Sequence, residues 1–149
     1  MAKSTMIKVM SPLDANHYGY VHGGSIMRYV DESAFIAGTR HARKHIVTAS
    51  IDSLDFACPV RIGDLLILKS AVNFVGRTSM EIGVRIETED AVKGDTKFVG
   101  RAYVTMVALD ALGHPTAIPK IKPETAEDKK RFKQAQVRRE HRLKTKGGK

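Results

Sequence analysis

Two periodicities divide the chain. From residue 24 to about 43, Ile26, Val30, Ser33, Ala34 and Ala37 fall at helical spacing on one stripe of apolar or small side chains, the pattern of a helix with one buried face. Ser33, Ala34, Ala37 and Gly38 are small enough to admit a second backbone, such as a sheet wrapped around the helix. Arg40, Arg43 and Lys44 close the segment, where cations suit the negative end of the helix dipole.

From 45 to 110 the period falls to two, which predicts strands. In 45–56, Val47, Ala49 and Ile51 share a face, and a slip near Ser53 turns Leu54 and Phe56 inward, as a bulge would. Strands are predicted at 65–75, at 79–88 and at 97–109. In 79–88, Met80, Ile82, Val84 and Ile86 alternate with Glu81, Arg85 and Glu87. A short first strand fits residues 4–10, ended by Ser11-Pro12. Gly76-Arg77-Thr78 and Lys93-Gly94-Asp95 read as turns. Short turns make neighbouring strands antiparallel, so the pattern describes an α+β domain, one sheet over one long helix. In the last strand Val99, Tyr103, Val107 and Leu109 stand opposite Phe98, Ala102, Val104 and Met106. Apolar residues on both faces predict that the outer face is covered as well, by self-association into a dimer or larger oligomer.

Charge changes the picture only at the end of the chain. The net charge is +9 over 149 residues. Residues 120–149 hold 12 of the 25 Lys/Arg but 4 of the 16 Asp/Glu, which leaves 1–119 at +1. A folded domain over 1–119 and a basic helical tail over 120–149 are therefore expected. The basicity says little about the domain's own ligand, and nucleic acid is not an expected partner. In the tail Phe132, Gln136, Arg139 and Leu143 share a thin stripe that predicts a peripheral, fraying helix. No apolar run reaches the roughly 20 residues that cross a bilayer, and the N-terminus lacks the apolar stretch of a signal peptide. Neither membrane insertion nor export is expected. The single Cys58 excludes an internal disulfide, reads as a small buried hydrophobe, and fits a reducing cytoplasm. His17, His41, His45 and His114 form no ligand set, and no metal is expected.

Candidate chemistry gathers where a polar loop enters the helix: Asn16, His22, Gly23, Gly24 and then Asp31. Asp31 sits at the edge of the buried stripe, where partial desolvation suits a general base or nucleophile, although an ordinary surface carboxylate is the commoner case. The first helical turn exposes free N–H groups, and Gly23-Gly24 would let a ligand reach them. A developing oxyanion is one such ligand; a tight turn is the plainer use of two glycines. Asn16 could hold a water or a carbonyl, and taken alone reads better as an Asx-turn residue. His22 reads as a structural histidine or a donor to a carbonyl. Arg77, Thr78 and Ser79 offer phosphate-binding groups at a turn, or simply turn chemistry.

Taken in order, Asn16-x-x-Gly19-x-x-His22-Gly23-Gly24-x-x-Met27-x-x-x-Asp31 and Val47-x-Ala-x-Ile51-Asp52-x-Leu54-x-Phe56-x-x-Pro59-Val60-x-x-Gly63-Asp64 resemble the hotdog-fold acyl-CoA thioesterases of the cytosolic acyl-CoA hydrolase type. The resemblance spans about residues 5–119. It implies a five-stranded antiparallel sheet wrapped around one long helix, paired into a dimer, with dimers commonly assembled three to a hexamer. It implies hydrolysis of acyl-CoA, a reaction of fatty acid metabolism, with coenzyme A as part of the substrate and no cofactor. Asp31 would be general base or nucleophile, Asn16 of the opposite subunit would orient water or carbonyl, and the Gly24 N–H would polarise the carbonyl. His22 and Gly23 would line the substrate site, and Thr78 and Ser79, with Arg77, would contact coenzyme A. The alternative on the same fold is a non-catalytic acyl-CoA sensor, against which the presence of Asp31 argues.

Overall fold

The computed structural model describes residues 2–52 and 54–147; Met1, Ser53 and residues 148–149 fall outside it. In chain order the elements are β1 (Lys3–Val9), a 3-10 turn (Pro12–Asp14), α1 (Gly23–Ala42), β2 (His45–Ile51), β3 (Leu65–Val75), β4 (Ser79–Glu89), β5 (Thr96–Leu109) and α2 (Ala126–Gly147). The strands form one antiparallel sheet in the order β1-β3-β4-β5-β2. This is the five-stranded, curled sheet around a helix that the resemblance implied.

The inner face is built as the alternation foretold. Leu66, Leu68, Val72, Ile82, Val84, Ile86, Val104 and Ala108 are wholly buried, each contributing about 1–3 kcal/mol of hydrophobic stabilisation. They meet α1 through Ile26, Val30, Ala34 and Ala37, also buried. The small residues on α1 do what their size suggested: a Cβ on Gly38 would lie 2.8 Å from Ile82 and 3.0 Å from Ile46. The helix therefore sits against the sheet with nothing between.

Two strands depart from the expected phase. In β2 the inward residue is Ile46, 3% exposed, while Val47 is 39% exposed. The register shift falls between Thr48 and Ser50, before the expected position, so the face assigned to Val47 and Ala49 is the outward one. The expected break at Ser53 lies outside the described residues, and β2 ends at Ile51 rather than Phe56. In β5 a shift opposite Ile86/Glu87 moves Val99 to the buried set with Ala102 and Val104. An alternation rule counts residues and cannot see an unpaired one.

The outer face is partly covered from within the chain. α2 lies across it, with Ala135 fully buried and Asp128 3% exposed. Gln136 and Leu143, expected on the packed side, are exposed. The inward set is Asp128, Arg131, Phe132, Ala135, Arg138, Arg139 and Arg142, and it grips the sheet mainly by charge. Glu81 of β4, 1% exposed, receives Arg138 at 2.6 and 3.1 Å, Arg142 at 3.1 Å and the Asn73 amide at 3.2 Å. The Arg138 guanidinium also stacks 3.6 Å from the centre of the Tyr103 ring. Burial alone would make Arg138 a weaker base, but the Glu81 carboxylate outweighs that and holds it above its ordinary value. Among the described residues no helix is long and apolar enough to cross a membrane.

Candidate active site

The loop from Ser11 to His22 is held by one buried carboxylate. Asp14, 6% exposed, accepts from the Ser11 N–H at 2.9 Å, from the Ser11 hydroxyl at 3.1 Å and from the Tyr29 hydroxyl on α1. Its carbonyl accepts the His22 N–H at 2.9 Å. Burial pushes the Asp14 carboxyl up, yet the bonds from Tyr29 and Ser11 and the nearby Lys8 charge outweigh it and hold the group below its ordinary value. Burial, the bond to Asp14 and its negative charge push the Tyr29 phenol up to about 12. Sequence reading passed over this pair; the Ser11-x-x-Asp14 spacing, a capping-box pattern, was the signal available.

Asn16 begins the turn that this carboxylate anchors. Its Oδ1 accepts from the N–H groups of Tyr18 at 2.9 Å and Tyr20 at 3.2 Å, the Asx-turn arrangement. Gly19, with φ +86°, completes the reversal. Because Oδ1 is committed to the backbone, Nδ2 is the end left to donate, and among the described residues it has no partner. Turn residue and ligand donor are thus compatible roles for one side chain.

His22 is the residue before α1, and its ring makes no capping bond. The N–H groups of Gly23 and Gly24 find no backbone acceptor among the described residues. A Cβ on Gly24 would meet open space, whereas one on Gly23 would lie 3.3 Å from the Phe56 ring. The helix thus presents a free amide at Gly24, beside an aromatic wall.

Asp31 lies seven residues further along α1 and is half-buried. Thr48 of β2 donates its hydroxyl to Asp31 Oδ1 at 2.5 Å. Glu32 turns to solvent and pairs with Arg28 at 3.3 Å. The sequence pattern hid this partner of Asp31, because the phase read for β2 turned Thr48 away from the helix.

Within one chain these groups do not converge. At about 1.5 Å per residue, Asp31 stands roughly 10 Å along the axis from Gly24. Arg77, Thr78 and Ser79 lie beyond the other end of α1. The Arg77 carbonyl accepts from Ile118 at 3.0 Å, next to Pro119, whose carbonyl bonds His41 at 2.7 Å. One protomer therefore carries the loop, amide and carboxylate as separate parts. Among the described residues no cluster of three His, Cys, Asp or Glu could hold a metal.

Residues 18–94 match the family model of the thioesterase superfamily. Over 117 residues the chain is 40% identical to an uncharacterised acyl-CoA thioester hydrolase of Bacillus subtilis, a match covering 78% of this chain and 68% of that one. The chain belongs to the hotdog-fold acyl-CoA thioesterases. Among solved members, an apo-hexameric acyl-CoA thioesterase superposes with TM-score 0.91 at 37% identity, over 97% of this chain and 92% of that one. An acyl-CoA hydrolase of Staphylococcus aureus, solved with butyryl coenzyme A, coenzyme A and coenzyme A disulfide, gives 0.86 at 33% identity, over 99% and 92%. That hydrolase has also been solved with an asparagine, an aspartate or a threonine replaced by alanine. Asn16, Asp31 and Thr48 of this chain are of the same three residue types.

Proposed function

We propose that this thioesterase hydrolyses acyl-CoA to a carboxylic acid and coenzyme A, at sites each shared between two copies of the chain. The observation that carries the reading is the separation of Asp31 from the Gly24 amide. An acyl transfer needs base and oxyanion donor within about 3 Å of one reacting centre. A span of roughly 10 Å along one helix forbids this within a protomer and permits it between antiparallel neighbours. The unpaired edge of β2, with Val47 and Ala49 exposed, offers a natural seam for such a pair.

In the proposed reaction the thioester carbonyl accepts from the Gly24 N–H and from Asn16 Nδ2 of one chain. Asp31 of the other, held by Thr48, takes a proton from water. The hydroxide adds to the carbonyl carbon, the C–S bond breaks, and the proton on Asp31 passes to the departing thiolate. Direct attack by Asp31, followed by hydrolysis of the mixed anhydride, uses the same groups. No cofactor is needed, since every proton is accounted for. His22 and Gly23 border the carbonyl. Arg77, Thr78 and Ser79, remote in their own chain, are assigned to the coenzyme A phosphates of a neighbour's substrate, where a guanidinium and hydroxyls are apt donors. The apo-hexameric relative supports a hexamer, for which a trimer of dimers is the proposed arrangement, and the lone Cys58 supports a reducing, cytoplasmic setting.

Thiol release from acyl-CoA of graded chain length tests the activity; tight binding without release would favour a sensor. Mixing tests the shared site. Asp31→Asn and Asn16→Asp homomers should each be inactive, and co-expressed chains should regain about a quarter of wild-type turnover through hybrid dimers with one intact site. No recovery in verified hybrids would refute a shared site.

A further inference from the structure

The segment between β2 and β3 joins the charged outer face to the entrance of α1. Its first residue, Asp52, receives Arg142 of α2 at 3.0 Å and donates its N–H to the Tyr103 carbonyl at 2.9 Å. It then passes Gly100 so closely that a Cβ there would lie 2.6 Å from the Asp55 carbonyl oxygen. The Ala57 N–H returns to the Val99 carbonyl at 2.7 Å. Between these fixings stands Phe56, whose ring lies against Gly23. Further on, the Val60 carbonyl accepts the Val21 N–H at 2.8 Å and so touches the Asn16 loop itself.

Arg142 ties the sheet to this segment. The same Nη1 reaches Asp52 at 3.0 Å and buried Glu81 at 3.1 Å. Glu81 is fixed in the sheet, so the guanidinium is a rigid spacer between β4 and the segment. An Asp52 freed of it would be drawn toward water, and the segment would keep only the backbone bond to Tyr103 at its start.

We infer that Arg142 is a positioning residue for the thioesterase reaction: by holding Asp52 it sets the segment that places the Phe56 ring beside the Gly23-Gly24 amides. The inference rests on the proposed hydrolysis for its kinetic consequence, but not for its structural one. The C-terminal helix is then part of the catalytic unit, although it touches no reacting atom.

Two readouts test it on the full chain. Asp52→Ala and Arg142→Met should each lower kcat roughly 10-fold with KM moved less than about twofold, the mark of a misplaced reacting group. The double variant should be no slower than the worse single one, because both break one linkage. Arg142→Lys should restore most of the rate, and Lys144→Met, exposed on the same helix, should change nothing. Unchanged kcat in Asp52→Ala, or losses that multiply in the double variant, would overturn the inference. The second readout is independent of activity. The chain has no tryptophan, so Phe56→Trp introduces a single indole. Adding Asp52→Ala to it should red-shift the emission and raise its quenching by acrylamide. Identical spectra and quenching would refute the link, whereas wild-type protein that releases no thiol would refute only the hydrolysis.

Discussion

The two helices are nearly equal in length, 20 residues in α1 and 22 in α2, and they lie on opposite faces of one sheet. Neighbouring residues of β4 show the contrast: Ile82 points to Gly38 of α1, and Glu81 points to Arg138 and Arg142 of α2. α1 is held by area, through small side chains that admit the sheet. α2 is held by direction, through guanidinium forks closing on one buried carboxylate. Burial by area is stabilising but tolerant of repacking. A buried ion pair adds little net stability, and losing one partner is costly because the other is stranded. The apolar helix therefore supplies the platform for the carboxylate proposed to react, and the charged helix supplies register.

The sharpest test of that division is the charge that α1 carries at the edge of its apolar face. Asp31→Asn should cut turnover roughly 1000-fold, in the range of a lost general base, while the melting temperature stays within a few degrees of wild type. Near-normal turnover would mean that α1 is platform only. On the other face, Glu81→Ala should destabilise the fold by about 3–5 kcal/mol in denaturant unfolding, since two arginines lose their acceptor. Replacing Glu81, Arg138 and Arg142 together by Leu, Met and Met should recover most of that loss. A triple variant as unstable as the single one would show that α2 is held by packing after all, and erase the contrast.

Smaller effects sharpen it. Asn16→Asp keeps the Oδ1 acceptor of the Asx turn and removes the Nδ2 donor, so turnover should fall about 100-fold, the scale of a lost oxyanion contact, with the fold intact. Equal loss in rate and stability would assign Asn16 to the turn alone. Thr48→Val keeps the shape and removes the donor to Asp31; about a 10-fold lower kcat is expected, and an unchanged kcat would make the Thr48 bond incidental.

Area and direction also decide what could be read in advance. The inner face was legible because burial by area leaves a period: Met80, Ile82, Val84 and Ile86 mark β4, and Ile26, Val30 and Ala37 mark α1. Asp31 stood at the edge of that stripe, where position alone favoured a surface carboxylate and only the resemblance gave it a role. The inward face of α2 was not legible, since arginines that grip Glu81 look like arginines in solvent; only the carboxylate, 57 residues away from Arg138, tells them apart. Thr48 was lost for a different reason. The β2 bulge lies one residue beyond it, and a phase error of one position moves every side chain to the other face. Of the loop, Asn16 and the glycines were picked out by residue type, whereas Asp14 matters through Tyr29, which is 15 positions away.

That last pair is the place where α1 itself relies on direction, and it can be isolated by pH. Tyr29 is 3% exposed and Asp14 is 6% exposed, so their bond is shielded from water. The phenol is pushed up to about 12 from 10.0; its contribution is complete below pH 10, where the unfolded chain is still neutral, and is lost as pH rises toward 12. The Asp14 carboxyl is held below 3.8; its contribution is complete above that value and is lost as pH falls through its folded-state titration. Tyr29→Phe removes the hydroxyl and leaves Asp14 with Ser11, at a cost of about 1–3 kcal/mol near neutrality. The stability gap between wild type and Tyr29→Phe should therefore be widest between about pH 5 and 9 and narrow on both sides. Denaturant unfolding across pH 3–12 measures it directly. A gap of constant size would mean that the ring packs on α1 but its hydroxyl does not hold the loop, and α1 would then be held by area throughout.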